Sequence, residues 1–272
     1  MAEIFGFDAY APKEIAERVE TIGVAKARLS FFSLLTLGML AGGFIGLGAL
    51  YFTLITSDSG LSFAASRVLG GLAFSLGLIL VVVAGAELFT GNNLLVMAWA
   101  SRRISTGELF KNWAIAYFAN FVGAIGLVLL VVLSNQWQAN SGAVGVNAVK
   151  IAVVKTGLPF WEAFFRAILC NILVCLAVWL ALAGRSVADK ILAIIFPISL
   201  FVAAGFEHSI ANMYFIPLGI FLREQVQIAG VEQLTWFGLI SNLVPVTLGN
   251  IVGGGLMVAL VYHFVYRYRV EG

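Results

Sequence analysis

The sequence predicts an all-α integral membrane protein, with six transmembrane helices arranged as two inverted three-helix repeats and the second and fifth helices broken. Three observations carry this expectation. Hydrophobic residues make up 61% of the 272-residue chain and charged residues 11%, a balance outside that of ordinary soluble domains. Apolar segments at about 29–55, 68–100, 112–134, 161–183, 190–222 and 237–266 approach or exceed the roughly 20 residues that cross a bilayer. Two of them, 68–100 and 190–222, are too long for one plain helix, and both carry the pattern A-G-x-E-x-x-x-x-N, from Ala84 to Asn92 and from Ala204 to Asn212. Irregular polar backbone at membrane depth is tolerated only inside protein or beside a cavity, so paired interruptions in two halves point to a transport site.

Residues 1–28 carry Lys, Glu and Arg throughout and lack an apolar core before a small-residue cleavage site, so they read as a cytoplasmic amphipathic helix and not as a cleaved signal peptide. Pro12 suits a first helical turn, and Ile15, Val19, Ile22, Ala25 and Leu29 recur three and four apart on one face. Residues 29–134 form the first repeat, 135–160 an extracytoplasmic connection, and 161–272 the second repeat with a short cytoplasmic tail. Asn120-Phe121-Val122-Gly123 in the third span is echoed by Asn250-Ile251-Val252-Gly253 in the sixth, in the same order relative to the A-G-x-E motifs. Three spans per copy reverse the second copy in the membrane and put a site between the two broken helices. Gly38, Gly42 and Gly46, and Gly249 with Gly253, stand four apart, as close helix packing requires.

Charge placement orients the chain with both termini cytoplasmic. Eleven of the 16 Lys and Arg then face inward (Lys13, Arg18, Lys26, Arg28, Arg102, Arg103, Lys111, Arg185, Lys190, Arg267 and Arg269), leaving Arg67, Lys150, Lys155, Arg166 and Arg223 outside. The six tryptophans fall at predicted span ends, Trp99, Trp113 and Trp179 inside and Trp137, Trp161 and Trp236 outside, as in an aromatic belt. Cys170 and Cys175 have no His or acidic neighbour at ligand spacing and read as apolar filler.

Breaking two helices at midplane frees backbone N–H groups whose positive end attracts an anion or a carboxylate. Helix-end electrostatics supply about 0.3–1 kcal/mol, up to about 2 when partly buried, whereas a charge at the bilayer centre costs at least about 2.5–3.5. A pore through this chain therefore needs a nearby cation or a group that neutralises the anion. His208, with an ordinary pKa of about 6.5, is the histidine placed to provide it. Thr90 offers a hydroxyl from the other repeat at a position taken as matching, or a cap on the resuming half-helix. Glu87 and Glu207 are expected to accept hydrogen bonds from freed loop N–H groups, Asn171 to act as a buried scaffold or anion contact, and Lys155 to be a solvated loop residue or an anion attractant. His263, among Tyr262, Tyr266 and Arg267, reads as an interface residue.

The chain resembles the formate/nitrite transporter family in Gly205–Met213, in Gly85–Thr90, in Leu169–Cys175 around Asn171 and in Pro245–Asn250, a set covering nearly the whole chain. The resemblance implies an aquaporin-like protomer with its own pore, assembled as a homopentamer in the bacterial cytoplasmic membrane. It implies a channel or transporter for small monovalent anions, formate foremost with nitrite or hydrosulfide as alternatives, and proton and membrane lipid as further partners. No cofactor, metal, nucleic acid or enzymatic activity is implied. It also implies that His208 and Thr90 form the central polar pair, that Phe74, Leu78, Leu88, Phe89, Val174 and Phe201 form two apolar constrictions, and that Asn171, Glu207 and Lys155 line the pore. Glu87–Gly91 is closer to the nitrite branch, and Phe74–Leu80 and Gly253–Gly255 to the formate branch. A water- or glycerol-type pore shares the broken-helix logic, but the chain lacks paired Asn-Pro-Ala motifs; an intramembrane enzyme would need a His-Glu-x-x-His, a Gly-x-Ser-x-Gly or a His/Cys cluster, and none is present.

Overall fold

A computed structural model of the protein describes residues 9–57, 60–226 and 228–267. Arg269 of the charge count, residues 1–8 of the N-terminal segment and the tail at 268–272 lie outside the described residues. The described residues form α1 (Pro12–Ala27), α2 (Phe31–Thr56), α3 (Phe63–Gly85), α4 (Val96–Ala100, entered through a 3-10 turn at Gly91–Leu95), α5 (Thr106–Leu133), α6 (Ala143–Thr156), α7 (Phe160–Ala183), α8 (Val187–Ala203), α9 (Ser209–Leu222) and α10 (Trp236–Tyr266). Hydroxyl caps start most of the long helices: Ser30, Ser62, Ser105, Ser186 and Thr235 each accept a first-turn N–H, and Glu108 and Asp189 complete capping boxes.

Five helices, α2, α3, α5, α7 and α10, are long and apolar enough to cross a membrane. The remaining apolar stretch is divided between α8, of 17 residues, and α9, of 14, with non-helical backbone between them. A second break separates α3 from α4. α2 runs along α3 and α5, α7 runs along α8 and α10, and α3 packs on α8. Phe32, Leu133, Phe196 and Phe237 are each at least 75% exposed, so the outer surface is apolar, as befits an integral membrane protein.

Glycine permits the closest approaches. A side-chain carbon on Gly42 would collide with the Asn120 carbonyl, and one on Gly123 with the Met39 carbonyl, so α2 and α5 meet backbone to backbone. Gly249 and Gly253 make the same approach to the Phe164 and Ile168 carbonyls of α7. Both α3 and α10 widen into π turns, at Leu80–Gly85 and Val252–Leu260, where the helices border the broken segments.

Three expectations gain detail. The 135–160 connection contains α6, whose Val144, Ala148, Val149 and Ala152 are buried, and α6 packs against α9. The buried face of α1 is Ile15, Ala16, Val19, Glu20 and Gly23, with Ala25 exposed, because Glu20 turns inward to Arg267 of the segment after α10 (3.1 Å) and to the Ser101 hydroxyl. The hydrogen bond that Arg267 donates to Glu20 holds its guanidinium above the ordinary pKa. Trp113 and Trp179 are buried within the protein: Trp113 donates to the Asn92 carbonyl at 2.9 Å, and Trp179 stacks on Tyr262 at 4.1 Å.

Overpacking costs about 1–3 kcal/mol in an ordinary core and more against rigid backbone. Gly42→Val and Gly123→Val should therefore abolish the monodisperse peak in detergent size-exclusion. Gly126→Ala, which meets nothing within 4 Å, should leave it unchanged.

Candidate pore and its helix breaks

Both breaks begin at a glycine in the left-handed region, Gly85 at φ +89° and Gly205 at φ +74°, which ends the half-helix without a Cβ clash. The chain then runs extended, and its freed amides find partners on the flanking helices. Glu87 N–H donates to the Leu37 carbonyl (3.1 Å) and Glu207 N–H to the Arg166 carbonyl (3.4 Å). Asn120 accepts from Phe89 N–H at 2.9 Å and donates to the Gly38 and Glu87 carbonyls. Asn250 accepts from Ser209 N–H at 2.9 Å and donates to the Ala167 and Glu207 carbonyls. The role expected of the glutamates is thus held by two asparagines, which carry both a donor and an acceptor.

The glutamates anchor something else. Glu87 pairs with Lys26 of α1 at 2.8 Å and accepts from Asn92 at 2.8 Å; Asn92 also donates to Asn112, which donates back to the Lys26 carbonyl. Glu207 pairs with Lys155 of α6 at 2.9 Å and accepts from Asn212 at 2.7 Å; Asn212 also donates to Asn242, which donates back to the Lys155 carbonyl. The two circuits match except that Lys26 Nζ also donates to Asn92 Oδ1 at 3.1 Å, whereas Asn212 Oδ1 has no partner among the described residues. Lys155 is therefore a half-buried, paired residue at the end of α6 and not a solvated loop residue. Lys26, Asn112 and Asn242 escaped sequence reasoning, although Asn112 and Asn242 each stand eight residues before the repeated Asn120 and Asn250, a spacing that could have paired them.

At the second break His208 is the N-cap of α9, and its Nδ1 accepts from Ala211 N–H at 3.0 Å. That bond leaves the proton of a neutral ring on Nε2, which lies 3.0 Å from Thr90 Oγ1. Thr90 makes no cap for the half-helix that resumes there. Aligned on their glutamates, the motifs match His208 to Leu88 and Thr90 to Ile210, so the polar pair joins the repeats without being symmetric residue for residue.

Two cavities flank this pair. One of about 510 Å³ lies on the α1 side and is lined by Val19, Lys26, Leu78, Val81, Glu87 and Leu88. The other, of about 330 Å³, lies on the α6 side and includes Phe74, Lys155, Phe201, Glu207 and His208. Phe74 and Leu78 stand one helical turn apart on α3, each facing a different cavity. The Phe74 and Phe201 rings meet edge-on at 5.6 Å, and Phe201 stacks on the His208 ring at 5.8 Å.

Four expected pore residues line neither cavity: Thr90, fully buried and reached only through His208, and Phe89, Asn171 and Val174. Phe89 packs edge-on against Tyr117 and Trp113, because Asn120 turns its backbone toward α5. Asn171, fully buried, donates to the Thr90 and Asn250 carbonyls and to Asn93, tying the two breaks together. Val174 is buried one turn beyond Asn171, and Val178 faces the α1-side cavity instead. His263 lies 3.2 Å from the Ser101 hydroxyl and 3.6 Å from Glu20, at the docking point of α1.

Removing one partner of a buried ion pair leaves an uncompensated charge and costs about 3–5 kcal/mol, whereas replacing both costs little. Lys155→Met should lower the melting temperature sharply, and Lys155→Met with Glu207→Gln should recover most of it in a double-mutant cycle read by thermal scanning. Additive losses would show that the two side chains act independently.

Comparison with known proteins places this geometry. The family model described as "Formate/nitrite transporter" matches residues 13–264. The chain is 42% identical to "Formate channel FocA" of Escherichia coli (strain K12) over 275 residues, covering 96% of this chain and 95% of the relative. It is 38% identical to "Formate channel FocA" of Haemophilus influenzae over 271 residues, covering 95% of each. The solved structure titled "Pentameric formate channel with formate bound" aligns at TM-score 0.82 and 40% identity, covering 88% of this chain and 98% of that one. A second, titled "FNT family ion channel", aligns at TM-score 0.83 and 28% identity, covering 93% and 98%. A protein with two glycine-led helix breaks, matched Lys–Glu–Asn circuits and this extent of similarity belongs to the formate/nitrite transporter family.

Proposed function

We propose that this chain conducts small monovalent anions, formate foremost, through a pore in each protomer of a homopentamer in a bacterial cytoplasmic membrane. The observation that carries the reading is His208 Nε2 meeting Thr90 Oγ1 at 3.0 Å, between two cavities and walled by Phe74, Leu78, Leu88 and Phe201. Nothing else among these wall residues can bond an anion. Formate as substrate and the pentamer rest on the relative titled a pentameric formate channel with formate bound.

The proposed protomer has six spans in two inverted repeats of aquaporin-like form, the broken second span being α3 with α4 and the broken fifth α8 with α9. The matched circuits around Glu87 and Glu207 support it, because they tie equivalent positions of the two halves to α1 on one side and to α6 on the other. The positive-inside count supports placing α1 and both termini in the cytoplasm. Ser141 and Ser186 are exposed, and Cys170 and Cys175 are buried, so Ser141→Cys and Ser186→Cys should label from opposite faces of intact cells. Labelling of both from the same face would refute the six-span arrangement.

The energy balance gives His208 its part. The N-terminus of α9 offers an anion at most about 2 kcal/mol, less than the bilayer's cost of at least about 2.5–3.5. A weak acid such as formate meets the difference by crossing between Phe201 and Leu88 as the neutral molecule. The ring holds a single proton, on Nε2, so it first binds the anion as a hydrogen-bond donor. To give a proton away it must take up a second at Nδ1, which displaces the Ala211 N–H. Relay is thereby coupled to loosening of the first turn of α9.

Purified protein in liposomes should take up formate faster than nitrite, hydrosulfide, acetate or lactate, with chloride and glycerol excluded, and formate flux should rise as pH falls. His208→Asn keeps hydrogen bonding without proton transfer and should lose the pH-dependent component while the protein still assembles. Wild-type flux with unchanged pH dependence in that variant would make His208 a structural cap alone.

A further inference from the structure

Arg67 sits on α3 two turns before Phe74, and its side chain crosses to α8. Nε donates to the Ala203 carbonyl at 2.8 Å and Nη2 to the Val202 carbonyl at 3.1 Å. Those oxygens belong to the last turn of α8, the negative end of a half-helix that stops at the break. A side-chain carbon on Gly205 would lie 2.9 Å from Nη2, so glycine there serves the turn and also leaves room for the guanidinium. Arg67 lines the same cavity as His208 and Phe201.

The two cavities differ in charge. On the α1 side the charged lining is Lys26 and Glu87, joined to each other. On the α6 side it is Arg67, Lys150, Lys155 and Arg166 against the single carboxylate of Glu207. Glu207 is taken by Lys155, and Arg166 is held at 3.1 Å by Glu162 of its own helix. Arg67 and Lys150 have no carboxylate within ion-pair distance among the described residues. Of these two, Arg67 is the one that also bonds the helix end.

We infer that Arg67 is the residue that makes the α6-side mouth select anions: it covers the carbonyl end of α8 and leaves uncompensated positive charge beside His208. Without it, an anion reaching Phe201 meets exposed carbonyl oxygens. Arg67 acts through the field and through the end of α8, so it is a specificity and positioning residue. The inference rests on reading the chain as an anion channel, and it assigns the direction-dependent part of that function to one side chain.

The test is electrical, in planar bilayers holding the full-length protein, with formate as the permeant ion and an impermeant organic salt added to one face at a time. Wild type should lose apparent formate affinity when salt is raised on the α6 face and change little when it is raised on the α1 face. Arg67→Gln should weaken half-saturation about three- to tenfold at low ionic strength, as expected for one charge acting across a partly screened cavity. It should also reduce the one-sided salt response and lower anion-over-cation permeability, read from the reversal potential in a formate gradient. Arg67→Lys keeps the charge and should retain most of that salt response. A wild type that carries no anion overturns the functional reading, and this inference with it. A conducting wild type with equal salt response on both faces, an Arg67→Gln matching wild type, or Gln and Lys variants equally impaired would each overturn the role of Arg67 alone. If Arg67→Gln does not assemble, Arg67→Lys and the one-sided wild-type response decide.

Discussion

A helix that stops inside a membrane must satisfy its freed backbone groups without bulk water, and the rest of this structure depends on how that is done. Here one asparagine serves each break. Asn120 and Asn250 each accept one loop amide and donate to two carbonyls, one in the loop and one on the helix opposite. An asparagine suits the task because its amide is donor and acceptor at once and carries no charge to desolvate. The glycines where α2 meets α5 and where α10 meets α7 follow from this requirement, since the short Asn side chain reaches the loop only if those backbones nearly touch.

With the loops satisfied by amides, the carboxylates of Glu87 and Glu207 are free to fix the outer helices. Each takes a lysine from a helix outside the three-helix unit, α1 or α6, and an asparagine from the resuming half-helix. Both charges are thereby neutralised at short range within largely buried surroundings, and the ammonium groups remain at the cavity edges. One pair of residues is left to face the passage. His208 spends Nδ1 on the helix and turns Nε2 to Thr90, so the wall between the cavities has a single polar point in an apolar surround.

The halves match in their scaffold and differ in their linings. Leu88 stands where the second motif has His208, and Ile210 where the first has Thr90, so the polar group at the centre is built from two unlike contributions. Charge differs likewise, with one balanced ion pair lining the α1-side cavity and an excess of cations on the α6 side. A scaffold of matched halves thus carries a path whose two mouths are not equivalent. The apolar pinch needs no such match, because Phe74 and Phe201 meet across the α3–α8 contact through packing alone.

The sequence by itself determined the membrane class, the places where two helices break and the twofold recurrence of glycine, glutamate and asparagine, because hydropathy and turn chemistry act over a few neighbouring residues. It singled out His208 for the same reason: an ionisable side chain stands out in an apolar run. Pairings between residues 61 to 247 positions apart were decided only by the tertiary structure. Lys26 with Glu87, Asn171 with Asn250, Arg67 with the end of α8 and Glu20 with Arg267 leave no local periodicity to read. Nor did composition reveal that α6 is a packed helix, since a 14-residue run of mostly Ala and Val is too short to read as a span. The directions in which Phe89, Val174, Trp113 and Trp179 pack were not legible, because apolarity signals burial without naming the face, and the face is set by which helix lies opposite.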